Sequence, residues 1–247
     1  MNRPKRSGPQ VIPRPAGVRP GGGPPWPPRQ QAITLQEVRD AFSGVGPPGE
    51  LPAELSRTVR DGATLRTSSP AAVLVPLFSD DDRVARVVLT RRAPHLRSHT
   101  HQVAFPGGRL DHGEQPLAAA LREATEEVGL DPAVVHVIGQ LSPLETMSSG
   151  ASIIPFVGVL PGRPVLRPNP AEVEAVFDVA LSDLVDPDVY REEIWPIPGV
   201  GERTMWLYEL DGDTVWGATA RMLTELLDLV LGVDSDPVIT GRGTPGG

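Results

Sequence analysis

The stretch Gly108–Leu130, GRLDHGEQPLAAALREATEEVGL, constrains this chain more than any other. Its second half carries a helical period. Leu117, Leu121, Ala124 and Val128 recur at steps of four and three, which makes one apolar stripe at about 100° per residue. Pro116 suits the first turn, where a missing N–H costs nothing. Gly129 stands where a left-handed residue closes a helix. The acids are arranged against stability. Glu123, Glu126 and Glu127 fall at i, i+3 and i+4, so the spacing gathers them on one face, roughly opposite the stripe. Like charges so placed repel by roughly a few tenths of a kcal/mol per pair, and they crowd the negative end of the helix dipole. Ala119 and Ala120 leave room beside them. A local rule broken twice in one place points to a site. The simplest missing partner is a hard divalent cation such as Mg²⁺, which prefers carboxylate oxygens. Taken alone, the Glu cluster also fits a solvated surface face.

The rest of the stretch decides between these. Gly108, Glu114, Arg122-Glu123, Ala124, Glu126-Glu127, Gly129 and Leu130 match the Nudix box at every position. For seven fixed residues at roughly 7% usage each, a chance match at one site is on the order of 10⁻⁸. The chain therefore resembles the Nudix hydrolases. The resemblance implies an α/β (α+β) fold, an α/β/α sandwich with a mixed central sheet. It also implies Mg²⁺ or Mn²⁺ held by Glu123, Glu126 and Glu127, often with the Gly107 carbonyl. The base that takes a proton from the attacking water varies between branches of the family. Glu126 is the expected one here and Glu145 the runner-up. Glu114 is expected to pair with Arg122 and set the shape of the loop.

Composition agrees with a metal-dependent enzyme. At 247 residues the chain holds one ordinary domain plus extensions. The absence of cysteine excludes disulfides, thiolate catalysis and Cys-based zinc sites, and fits a reducing cytoplasm. No apolar run reaches the length of a membrane span, and the basic N-terminus lacks the apolar segment of a signal peptide. A net charge of −8 argues against a nucleic-acid partner. The expected location is cytoplasmic and the expected partner a small-molecule nucleotide; dimerisation stays open.

Residues 1–30 carry six basic side chains and no acid among dense Pro and Gly, which reads as a flexible tail. Residues 31–68 read as a helical extension, with a short helix over Ile33–Phe42 capped by Thr34 and another turn over Glu54–Arg60. The hydrolase domain is expected over 69–233. Its strands are expected at residues 71–78, 84–91, 134–141, 153–160, 175–179 and 204–210, with a closing helix over 218–231. The segment SPLETMSSGAS, which holds Glu145, reads as a covering loop. Residues 234–247 read as a second tail.

A second constellation precedes the box. Leu89–Gly108, LTRRAPHLRSHTHQVAFPGG, is similar to the extra motif of the coenzyme A diphosphatase branch of Nudix enzymes, through Thr90, Arg92, Ala93, Arg97 and Phe105-Pro106-Gly107-Gly108. His101 departs from that motif, which has glycine there, and its side chain is expected to crowd the loop. Arg92 and Arg97 offer planar donor forks suited to phosphate oxygens; pairing with an acid of the box or the Asp80–Asp82 turn is the plainer role for either. His95, His99, His101 and His112 lack regular zinc spacing. The resemblance implies metal-dependent hydrolysis of coenzyme A or acyl-coenzyme A to 3′,5′-ADP and a 4′-phosphopantetheine product. An ADP-ribose or NADH pyrophosphatase and a non-catalytic nucleotide-binding module are the alternatives.

Overall fold

A computed structural model of the chain describes residues 8–27, 31–43, 70–96, 99–146 and 152–233. In chain order its elements are β1 (Arg19–Pro20), α1 (Leu35–Phe42), β2 (Ala71–Ser79), β3 (Ala85–Arg92), β4 (Val103–Ala104), β5 (Gly107–Arg109), α2 (Pro116–Val128), β6 (His136–Gln140), β7 (Leu144–Glu145), β8 (Ser152–Val159), β9 (Val173–Ala180), α3 (Leu181–Leu184), β10 (Tyr190–Ile197), β11 (Gly201–Leu210), β12 (Asp213–Trp216) and α4 (Gly217–Leu231).

The central sheet is built on β2, which is buried along Ala72–Phe78 on both faces. Ala72, Leu74 and Phe78 meet α2 on one side, while Val73, Val75 and Leu77 join the core that includes α1 and α4 on the other. Such a strand reads as an unbroken apolar run. β2 runs parallel to β8, with Ala71 opposite Ile153 and Leu77 opposite Val159, and β8 pairs antiparallel with β6. β3 pairs antiparallel with β2 only over residues 85–87 and with β9 from Arg86 to Arg92. Where β2 and β3 part, residues 103–109 fill the gap. β4 bonds to β3 at Thr90 and Arg91, β5 bonds to β2 at Ala71–Val73, and the Leu74 N–H donates to Pro106 O at 2.9 Å. The mixed sheet between helices is the sandwich expected.

A second sheet, in the order β1-β10-β11-β12, was not expected and is wholly antiparallel. β10 reads YREEIWPI, and its paired acids and Pro196 mask the alternation that marks a strand. Tyr190, Tyr208 and Val215 of this sheet join the α4 side of the core.

Residues 8–27 correct the expectation of a flexible tail. Trp26 is buried, donates its indole N–H to Asp228 at 2.7 Å and meets the Tyr190 ring edge-on at 5.1 Å. Arg14 Nε reaches both Glu193 oxygens at 3.0 Å, and the Gly21 N–H donates to Glu192 O at 2.8 Å. Anchors spaced along a Pro/Gly chain order it, although its mean composition gives no core. Trp26→Ala is accordingly expected to cost about 3 kcal/mol or more, read from denaturant unfolding; an unchanged midpoint contradicts the anchoring.

The helix at residues 35–42 forms as expected, with a full capping box between Thr34 and Glu37. The turn expected over Glu54–Arg60 and the tail over 234–247 lie outside the described residues. No helix among the described residues is long and apolar enough to cross a membrane.

Candidate active site

Helix α2 begins at Pro116 and ends at Gly129, whose φ of 68° is the left-handed closing conformation. Its inner face is small. Ala119, Ala120 and Ala124 lie buried against Ala72, Leu74 and Ile154, so the helix axis sits close to the sheet. Glu127 falls on this same inward face and is 4% exposed at its side chain, against 15% for Glu123 and 54% for Glu126. The three acids therefore do not share one face opposite the apolar stripe. Glu126 and Glu127 are successive and stand 100° apart around the axis, so when one turns inward the other turns to solvent.

A different residue takes the third place. Carboxylate oxygens of Glu123, Glu127 and Glu172 lie within 4.8 Å of one another. Glu172 precedes β9 and is brought in by the end of α2. The Arg167 N–H donates to Val128 O and the Asn169 N–H to Glu127 O, both at 2.8 Å, which satisfies helix carbonyls otherwise without partners. Glu172 was missed because no fixed spacing ties it to the box; the one signal was that the resemblance ran on through NPAEVEAVFDV.

Backbone from the gap between β2 and β3 forms the floor. The Gly107 N–H donates to Glu127 Oε2 at 3.1 Å. A Cβ at Gly107 would lie 2.4 Å from Ala72 O, and one at Gly108 would lie 2.4 Å from Glu123 Oε1. Gly107 is thus required for its close approach to the β2 backbone, while a side chain at Gly108 would have to displace the Glu123 carboxylate. Gly107 meets the site through its N–H; its carbonyl is a ligand only by the resemblance.

Arg122 Nε and Nη2 donate to Glu114 at 2.8 and 3.0 Å, and Nη1 to Glu123 and Glu126 at 3.0 Å each. Glu114 also accepts from the Asp111 N–H, so the Glu114–Arg122 pair shapes the loop as expected. Arg92 Nη1 stands 3.7 Å from Glu127, and Arg92 Nε is buried without a hydrogen-bond partner among the described residues. Arg97 lies outside the described residues. Glu145 is exposed on β7, which pairs with β8. Among the described residues it is not one of the three acids that cluster, Glu123, Glu127 and Glu172. His101 adopts φ 57°, the left-handed region that suits glycine, and its ring turns outward to Glu174 at 2.9 Å. The loop keeps its backbone shape without being crowded.

Charge is poorly compensated here. Burial pushes the Glu127 carboxyl up to about 7, with the Gly107 N–H and Arg92 opposing and the charges of Glu123 and Glu172 adding. Burial also raises Glu123 against the pull of Arg122. Three hard oxygen donors, two of them nearly enclosed and short of positive charge, fit a divalent cation.

A carboxyl raised on folding holds its proton where the unfolded chain has lost it, so its contribution is full below about 4.5 and is lost as pH rises through about 7. For Glu127 this loss is on the order of 3 kcal/mol. The metal-free protein is expected to melt lower at pH 8 than at pH 5.5. Mg²⁺ should raise the melting temperature more at pH 8, where it need not displace a proton. An equal Mg²⁺ effect at both pH values contradicts this account.

The NUDIX domain family model matches residues 68–197. The chain belongs to the Nudix family. A Nudix hydrolase of Yersinia pestis (strain Pestoides F), named NudL and described as uncharacterized, is 38% identical over 165 residues, covering 66% of this chain and 81% of the relative. The NudL protein of Yersinia pseudotuberculosis serotype O:1b (strain IP 31758) matches to the same extent. Among solved structures, a MutT/nudix family protein from Enterococcus faecalis is 15% identical with a TM-score of 0.45, covering 82% of this chain and 81% of that one. As a Nudix hydrolase the chain acts on pyrophosphate bonds of nucleoside diphosphate-linked small molecules, and enzymes of this family generally use divalent metal ions.

Proposed function

We propose that this Nudix hydrolase cleaves coenzyme A or acyl-coenzyme A to 3′,5′-ADP and (acyl-)4′-phosphopantetheine, using Mg²⁺ or Mn²⁺. The reading is carried by Arg92. It belongs to the stretch similar to the coenzyme A diphosphatase motif, it borders the carboxylate group, and its buried Nε has no partner among the described residues. A guanidinium so placed has a donor in reserve for a phosphate oxygen. Arg97, from the same motif, is proposed as the second phosphate contact.

In this reading Glu123, Glu127 and Glu172 hold the ion, with the Gly107 carbonyl as a further ligand. When bound, the ion neutralises diphosphate oxygens and lowers the pKa of a coordinated water. The protein residues supply the rest. The Gly107 N–H fixes the Glu127 carboxylate, and Arg122 holds Glu123 in place from the other side. Arg92 orients the diphosphate by its charge and fork geometry. Glu126, the box carboxylate on the solvent side, is proposed to accept the proton of the attacking water. Its exposure and its bond to Arg122 suit a relay role better than ligation.

Mass spectrometry of products tests the substrate directly. With Mg²⁺ present, coenzyme A is expected to give 3′,5′-ADP and 4′-phosphopantetheine, with ADP-ribose turned over at least about tenfold more slowly by kcat/KM. Intact coenzyme A beside cleaved ADP-ribose overturns the reading.

A further inference from the structure

We propose that Gln10, far outside the segment matched by the family model, is a positioning residue for Arg92, acting through a closed ring of contacts with His101, Glu174, Arg91 and Asp213. The inference rests on the proposed role of Arg92 at the phosphate side of the site.

The ring can be traced bond by bond. Gln10 Nε2 donates to His101 O at 2.9 Å and to Asp213 Oδ1 at 2.6 Å, and Gln10 Oε1 accepts from the Thr214 N–H at 2.9 Å. Arg91 Nη1 donates to both Asp213 oxygens at 3.1 and 3.0 Å, and Arg91 Nε donates to Glu174 at 3.2 Å. His101 Nδ1 closes the ring on Glu174. Both amide hydrogens of Gln10 and its oxygen are thus engaged between two elements that have no covalent reason to stay together, the 99–102 turn and the start of β12.

Arg92 is fastened to this ring through the backbone. The His101 N–H donates to Arg92 O at 3.1 Å, and the Arg92 N–H donates to Gln102 O at 3.0 Å. A register shift between Arg91 and Arg92 leaves Arg91 opposite Ala175 and Arg92 opposite Val173, with Glu174 as the extra residue. A bulge of this kind re-aims side chains. Here Arg91 faces the ring and Arg92 faces Glu127. The Ala93 N–H then donates to Glu172 O at 2.8 Å, so the same backbone also fixes the residue that completes the carboxylate group.

The N-terminal segment is fitted to this place and does not merely rest on it. A Cβ at Gly8 would fall 2.6 Å from Asp213 Cα and 2.7 Å from Gly212 O, so only glycine lets the segment approach closely enough for Gln10 to reach both partners. The left-handed His101 meets a matching need, because its carbonyl is turned to Gln10 while its ring reaches Glu174.

Gln10→Ala and Gly8→Ala, each in the full chain, test the proposal with whichever of coenzyme A or ADP-ribose the unaltered protein cleaves. In both variants KM is expected to rise about tenfold with kcat changed by less than about twofold, the sign of weakened substrate binding with intact chemistry. Hydrogen exchange without substrate is expected to speed up at the amides of Arg92 and His101 while α4 keeps its protection. Unchanged KM and exchange overturn the proposal. So does a parallel fall of kcat and melting temperature, which marks a merely structural contact. Cleavage of ADP-ribose alone sinks the coenzyme A reading and leaves this comparison intact, and the exchange measurement needs no substrate.

Discussion

Glu127→Gln is expected to lower kcat by about 10³-fold or more, because the ion-holding group then lacks its most enclosed charge and metal catalysis is worth several kcal/mol. The same substitution is expected to leave the fold intact by circular dichroism. At pH 8 without metal, the variant should melt no lower than the unaltered protein. Ionised Glu127 is buried at a cost, its carboxyl being raised to about 7, and a neutral amide avoids that cost. An amide oxygen can still accept from the Gly107 N–H. Loss of activity with retained or raised stability separates a functional acid from a structural one. Activity close to that of the unaltered chain contradicts the assignment.

Glu172→Gln is expected to raise the Mg²⁺ concentration for half-maximal activity by roughly tenfold or more, about 1.4 kcal/mol of binding per decade. The expectation comes from geometry alone: Glu172 shares the 4.8 Å cluster with Glu123 and Glu127. Glu126→Gln offers the contrast. Glu126 is largely exposed and bonded to Arg122, so its loss should leave the Mg²⁺ requirement within about twofold while kcat falls by roughly 10²-fold or more, as for a lost proton acceptor. Titration of activity with Mg²⁺ on both variants gives the comparison. A large Mg²⁺ shift for Glu126→Gln and none for Glu172→Gln reverses the roles.

What could be read from the sequence follows the range of each physical signal. The limits of α2 were legible because Pro116 and Gly129 act locally. The central strands were legible because burial on both faces leaves an apolar run, as in Ala71–Phe78. The facing of the acids was not. The stripe through Leu117, Leu121, Ala124 and Val128 puts Glu127 on the polar side; Ala124 and Val128 are buried as expected, but the inner face also takes in Ala119, Ala120 and Glu127, while Leu117 and Leu121 are only partly buried. Glu172 was illegible for another reason. It reaches the site through main-chain bonds from Arg167 and Asn169 to the end of α2, and such bonds leave no residue-type signature.

The N-terminal segment shows the weakness of averaging. Thirty residues rich in Pro and Gly have the composition of a tail, yet a single Trp26 with a buried carboxylate partner and a two-residue strand at Arg19–Pro20 hold residues 8–27 in place. His101 stands where the similar motif has glycine. The structure keeps the glycine-like backbone and gives the ring its own partner in Glu174.

The most direct measurement is anomalous diffraction from crystals of the full chain soaked in Mn²⁺. The account predicts a peak bounded by the carboxylates of Glu123, Glu127 and Glu172, and its loss in Glu127→Gln. Density absent from that group, or centred on Glu126 away from Glu172, contradicts it.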